Sequence, residues 1–189
     1  MKKMMLTLCA MFCVVMTQAQ EHMTFKGVSM GCDLMTFVSR LKDKGCTVEY
    51  IQDDCAVLMG NFAGSDSCSI GVFCTAKSKQ VWKVIVYFPE KTSWYPLKSE
   101  YKSLKESYTM KYGTPKSFES FSWPYEDGDG SEMIALAAGL CKYFSFFETA
   151  ICSIMLGIDE TKRVGVTYED KLNVEVFKKE KHAIVSSDI

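Results

Sequence analysis

Between Gly31 and Gly45 the apolar residues fall at Leu34, Phe37, Val38 and Leu41, with Arg40, Lys42 and Asp43 set among them. Steps of three and four predict an amphipathic helix, opened by Cys32 or Asp33 and closed by Gly45. The pattern then changes to short runs rich in β-branched and aromatic residues. Residues 47–51, 55–63, 68–75 and 80–88 read as strands, with Gly64-Ser65-Asp66-Ser67 and Lys77-Ser78-Lys79 as hairpin connections. In the last of these, Trp82, Val84, Val86 and Phe88 are expected on one face and Lys83 and Tyr87 on the other. That is the signature of an antiparallel sheet buried on one side.

The order then begins again. Leu97, Tyr101, Leu104, Tyr108 and Tyr112 form a second helical stripe, ended by Gly113 and Pro115. Strand-like runs return at 117–123, 141–149, 151–158 and 163–168, and "SKQVWKVIVYF" and "TKRVGVTYED" look like two versions of one final hairpin strand. An insertion near 124–140 holds a short helical pattern that Ser131 can cap and Gly139 can close. The expected fold class is therefore α+β: two tandem helix-plus-four-stranded antiparallel sheet repeats, each helix packed on one sheet face so that its apolar stripe leaves water. Neither unit has much core of its own, so shared burial is expected to stabilise both.

The segments "FKGVSMGCDLMTFVSRLKDKG", "GNFAG", "YKSLKESYTMKYGTP" and "VTYEDKLN" resemble uncharacterised exported proteins of Bacteroides-type bacteria. These are similar in layout to the tandem folds of β-lactamase-inhibitor protein and the TATA-binding-protein saddle. The resemblance covers most of the chain and implies a scaffold. It implies no catalytic residues, and likeness of fold does not transfer inhibition or DNA binding.

The N-terminus changes the picture. Lys2 and Lys3 precede an apolar stretch from Met4 to Met16, and Thr17-Gln18-Ala19 places small residues where a signal peptidase reads. This reads as a secretory signal peptide cleaved after Ala19, too short to anchor in a bilayer. A lipoprotein box is not matched, because bulky Phe12 stands before Cys13 and Cys9 comes too early. The expected organisation is a signal peptide over 1–19 and a first repeat over 20–95. A second repeat follows over 96–172, then a charged, solvated tail over 173–189. The product is expected to be exported, periplasmic or extracellular, with no membrane span after cleavage.

Charge is nearly balanced, with 22 basic and 23 acidic side chains. The single basic cluster, Lys178, Lys179 and Lys181, alternates with Glu175 and Glu180, which argues against nucleic acid as a partner. Beyond the signal segment seven cysteines remain, an odd number, so at least one thiol is free of any intramolecular disulfide. Cys32 and Cys46, and likewise Cys68 and Cys74, lie roughly 20 Å apart along one element and cannot pair. Cys55 and Cys74, on neighbouring strands, are within reach of pairing, although small buried hydrophobes are the default reading of the set.

"GVSMG" matches the G-x-S-x-G elbow at Ser29, but no strand-built sheet precedes it, so a turn leading into the first helix is the preferred reading. His22 and His182 are the only histidines and lie near opposite ends. No C-x-x-C and no phosphate-binding loop occurs, so no catalytic, cofactor or metal residue is assigned. The stretch "FSWPYEDGDGSE", residues 121–132, fails as an EF-hand loop because Glu132 and Ala138 occupy the positions that need glycine and glutamate. Its rings are more informative. Phe121, Trp123 and Tyr125 have period two, and Pro124 suggests a strand edge. With Trp94, Trp123 and Tyr125 form a candidate binding rim, the alternative being that they cover the end of the core. The expected role is a non-enzymatic exported protein that binds a protein, peptide or glycan. A small hydrolase using carboxylates or Ser29, or an envelope assembly factor, stands as the alternative.

Overall fold

The computed structural model describes residues 21–188; the expected signal peptide over 1–19 lies outside them. A short hairpin comes first, β1 (Thr24–Phe25) with β2 (Val28–Ser29), followed by α1 (Leu34–Asp43). Asp33 caps α1 by accepting the Thr36 N–H at 3.0 Å. Its far end is a Schellman closure: Gly45, at φ 85°, donates to Lys42 O, and Cys46 donates to Leu41 O. The four apolar residues of the helical pattern, Leu34, Phe37, Val38 and Leu41, are all buried.

The strands β3 (Thr47–Ile51), β4 (Cys55–Phe62), β5 (Ser65–Cys74) and β6 (Val81–Tyr87) come next, then α2 (Trp94–Tyr112). After these lie β7 (Lys116–Phe121), α3 (Glu132–Ala137), β8 (Cys141–Glu148), β9 (Cys152–Ile158), β10 (Val164–Asp170) and α4 (Lys171–Asp188). The fold is α+β with one large antiparallel sheet, in the order β3-β4-β5-β6-β10-β9-β8-β7. Two four-stranded sheets were expected; instead β6 pairs directly with β10, from Gly165 opposite Tyr87 to Glu169 opposite Lys83. Joining them removes two open edges, whose unpaired N–H and C=O groups would otherwise invite another chain.

One face of the sheet carries the core. The row Leu58, Ile70, Val86, Val166, Leu156 and Ser145 crosses six strands in register, and every member is buried. The apolar stripes of α1 and α2 close over this face, with Leu97 and Tyr101 fully buried and Tyr101 sharing a 2.7 Å hydrogen bond with Ser145.

Two local expectations are corrected. Trp82 does not share a buried face with Val84 and Val86. The register shifts where Phe73 pairs Lys83 and Cys74 pairs Val81, so Val81 is buried and Trp82 stacks on Phe177 of α4 with ring centroids 4.1 Å apart. The C-terminal segment is not a loose tail. It forms α4 and is held by Phe177 and by Glu180, which accepts the Lys77 and Ser78 N–H groups. Beyond Glu180 the residues of α4 from Lys181 to Ser187 are exposed. Among the described residues no helix is long and apolar enough to cross a membrane.

Candidate functional site

Because side chains alternate along a strand, the rows between the buried ones lie on the opposite face. One such row crosses all eight strands: Thr47, Met59, Ser69, Tyr87, Gly165, Gly157, Phe144 and Phe118. The next runs Tyr50, Val57, Gly71, Ile85, Thr167, Met155, Phe146 and Lys116. Neither row is buried, and Tyr50, Met155, Phe146 and Phe118 are exposed. This face is unusual for a wet one, because most of its side chains are aliphatic or aromatic. Phe118, Phe144 and Phe146 form a chain of rings, with centroids 5.0 and 5.4 Å apart.

Two glycines open a hollow in the middle of that surface. Gly165 and Gly157 are cross-strand partners on β10 and β9, so two adjacent positions carry no side chain. The Tyr87 ring leans over Gly165, only 3.2 Å from where a Cβ would stand, while at Gly157 a Cβ would meet Tyr143 O at 3.2 Å. The resulting depression, about 180 Å³, is walled by Tyr87, Ile85, Phe144 and Met155, with Thr167, Asp159 and the Tyr87 hydroxyl as its polar groups. Since a cavity of about 150 Å³ holds a benzene molecule, the hollow has room for one aromatic or branched aliphatic group. A polar margin follows on the third row, where Lys83 and Glu169 pair at 3.0 Å.

The three rim residues read from the sequence do not form one surface. Trp94 turns inward and is 8 % exposed. Its ring meets Phe121 and Tyr143 edge-on, and its Nε1–H donates to Asp127 Oδ1 at 3.0 Å. Tyr125 packs partly against the core. Trp123 alone projects, at 91 % exposed. The acidic run beside it serves the loop itself. Asp129 accepts the Glu126 and Ser131 N–H groups, Glu132 accepts Gly128 N–H, and Asp127 holds Lys98. Ser131 starts α3 without a side-chain cap hydrogen bond, contrary to the capping role expected of it, while its own N–H donates to Asp129. Hydrogen bonds from Lys98 and Trp94 hold the Asp127 carboxyl below the ordinary carboxylate range, while burial pushes the Cys141 thiol and the Tyr143 phenol up to about 12.

Ser29 and His182 are not brought together. Ser29 Oγ accepts Gly31 N–H at 3.2 Å, and His182 Nδ1 lies 2.9 Å from Ser186 Oγ on α4. The other histidine, His22, contacts both oxygens of Asp170 at 3.2 Å. Asp170 also accepts Met23 N–H at 2.8 Å and Asn173 N–H at 2.9 Å, and Asn173 donates to Met30 O and Val81 O. This buried cluster ties the N-terminal segment to the junction of β10 and α4. All seven cysteines of the described residues are free thiols, including Cys55 and Cys74. Among those residues no group of three or more His, Cys, Asp or Glu side chains converges as a metal site.

The sequence reading missed the glycine hollow. Its signal was present as Gly71, Gly157 and Gly165 inside strand patterns, where glycine often marks close approach of another group. Compared with known proteins, the chain matches no family model, no curated protein and no solved structure.

Proposed function

We propose that the chain is a non-enzymatic exported binding protein whose open sheet face receives a partner protein or peptide, with one aromatic or branched side chain seated in the hollow over Gly157 and Gly165. The observation that carries this reading is the paired glycines within an otherwise apolar, uncovered face. Such patches on soluble proteins mark interaction surfaces, and a buried apolar anchor is the usual centre of an interface. A glycan would need many polar partners, and the side chains of the hollow offer three, on Tyr87, Asp159 and Thr167. The strand order also supports a doubled scaffold. One helix precedes β3–β6, another precedes β7–β10, and the last strand of each set meets the other at the centre. That order supports the reading of two related units, to which the sequence resemblance also points. Export rests on the Lys2–Ala19 pattern.

The test is a random peptide library panned on the chain from Gln20 onward, in parallel with its Met155→Glu variant. Peptides that share an aromatic or branched aliphatic anchor and lose binding to Met155→Glu are expected. Peptides bound equally by both forms would overturn the assignment to this face. Glycans bound by the parent and lost in Met155→Glu would overturn the choice of a polypeptide partner.

A further inference from the structure

A second cleft lies on the helix side, where the β1–β2 hairpin, Phe62 at the end of β4, the second half of α2 and Tyr168 of β10 converge. Its volume is about 330 Å³, at the lower end of the range for small-molecule sites. Two ammonium groups, Lys26 and Lys111, stand among its lining residues, and no carboxylate does. Lys26 sits in the two-residue turn between the paired Phe25 and Val28, at φ 50°, followed by Gly27 at φ 74°. This is the type I′ geometry that fits a tight hairpin, so the lysine is presented from a fixed turn. Its Nζ donates to Asn61 O at 2.6 Å, which leaves two ammonium protons for another acceptor. Lys111 Nζ lies 5.0 Å from the centroid of the Tyr112 ring.

The floor supplies the second observation. Tyr108 and Tyr168 both line the cleft, both are more than nine-tenths buried, and their hydroxyls share one hydrogen bond. Two hydroxyls carry two protons and the mutual bond uses one. Neither oxygen has another partner among the described residues, so one phenolic proton is left without an acceptor. A buried donor in that state costs free energy until something accepts from it. Burial keeps both phenols protonated, their ionisation being raised above the ordinary tyrosine range by desolvation.

We propose that this cleft binds a small organic anion, a carboxylate carried on an aromatic body. One carboxylate oxygen accepts the spare phenolic proton, and the ammonium groups of Lys26 and Lys111 offset the charge. The rings of Phe25, Phe62 and Tyr112 supply the apolar wall. The site is distinct from the glycine hollow, which lies on the opposite face of the sheet.

The experiment is an NMR titration of the chain from Gln20 onward with phenylacetate, phenylacetamide and inorganic phosphate. Phenylacetate is expected to saturate in the millimolar range or below, shifting resonances of Lys26, Tyr108 and Tyr112. The neutral amide, lacking charge-assisted hydrogen bonds, should bind about tenfold more weakly. The doubly substituted Lys26→Met, Lys111→Met chain should lose about tenfold in phenylacetate affinity while melting at an unchanged temperature. Tyr108→Phe combined with Tyr168→Phe should weaken binding as well, whereas Tyr108→Phe alone leaves a donor in place. Absence of saturation, equal affinity for acid and amide, or indifference to the lysine pair would overturn the site. Phosphate bound as tightly as phenylacetate would overturn the aromatic body.

Discussion

Gly165 of β10 stands directly opposite Gly157 of β9, and Tyr87 and Phe144 occupy the next strands on either side of the pair. The hollow between those two rings therefore depends on two side chains that are missing. Adding one should show it. Gly165→Val places a branched side chain where Tyr87 already approaches to 3.2 Å, so the ring must move and the floor fills. Loss of anchor-dependent peptide binding is expected, with a destabilisation of about 1 kcal/mol because the half-buried position is already covered by the Tyr87 ring. Titration calorimetry and urea unfolding on the same variant check both parts.

Asp170 carries a heavier structural role. It is fully buried and accepts from Met23 N–H and Asn173 N–H while contacting His22. Asp170→Ala should cost about 3 kcal/mol, because two buried donors lose their acceptor and α4 loses the oxygen that caps its first turn. His22→Ala should cost less, because Asp170 keeps both of its backbone donors when the ring is removed. Urea midpoints at constant slope measure the difference.

The loop at Asp127 should respond to acid. Lys98 and Trp94 depress its folded ionisation, so the stabilisation they provide is present above the unfolded value of about 3.9 and is lost as pH falls through the lower folded value. The charge-assisted hydrogen bond from Trp94 Nε1–H weakens as that proton binds. A change in tryptophan fluorescence below about pH 4 is expected, and Asp127→Asn should remove this step.

Thiol chemistry offers a further check. Cys46, Cys68, Cys74, Cys141 and Cys152 are buried, whereas Cys32 and Cys55 are partly accessible. Burial raises the thiol of Cys141 to about 12, which keeps it protonated at pH 8. Alkylation of the native chain under those conditions should mark Cys55 and Cys32 first. All seven should react only after unfolding, as read by mass spectrometry of the peptides.

Much of the architecture could be read from local pattern. The spacing of Leu34, Phe37, Val38 and Leu41, with Asp33 before it and Gly45 after, located α1 to within a residue at each end. The stripe from Leu97 to Tyr108 likewise named the buried side of α2. Trp94 was harder to place. A ring near a helix start can point either way, and only Asp127, more than thirty positions on, supplies the hydrogen bond that draws it inward. The tail misled for a similar reason: Glu175, Lys178, Lys179 and Lys181 are exposed, but Phe177 and Glu180 find partners on β6 and the turn before it.

By itself the chain determined where α1, α2 and the eight strands of the large sheet lie, because periodicity, caps and turns are decided by residues a few positions apart. Tertiary structure alone decided that β6 joins β10, that Gly157 meets Gly165, and that the Tyr108 and Tyr168 hydroxyls share a hydrogen bond at the floor of a cleft. Those outcomes depend on register between distant strands and on which face the helices cover. Both are settled by collective burial, which no short stretch of sequence encodes.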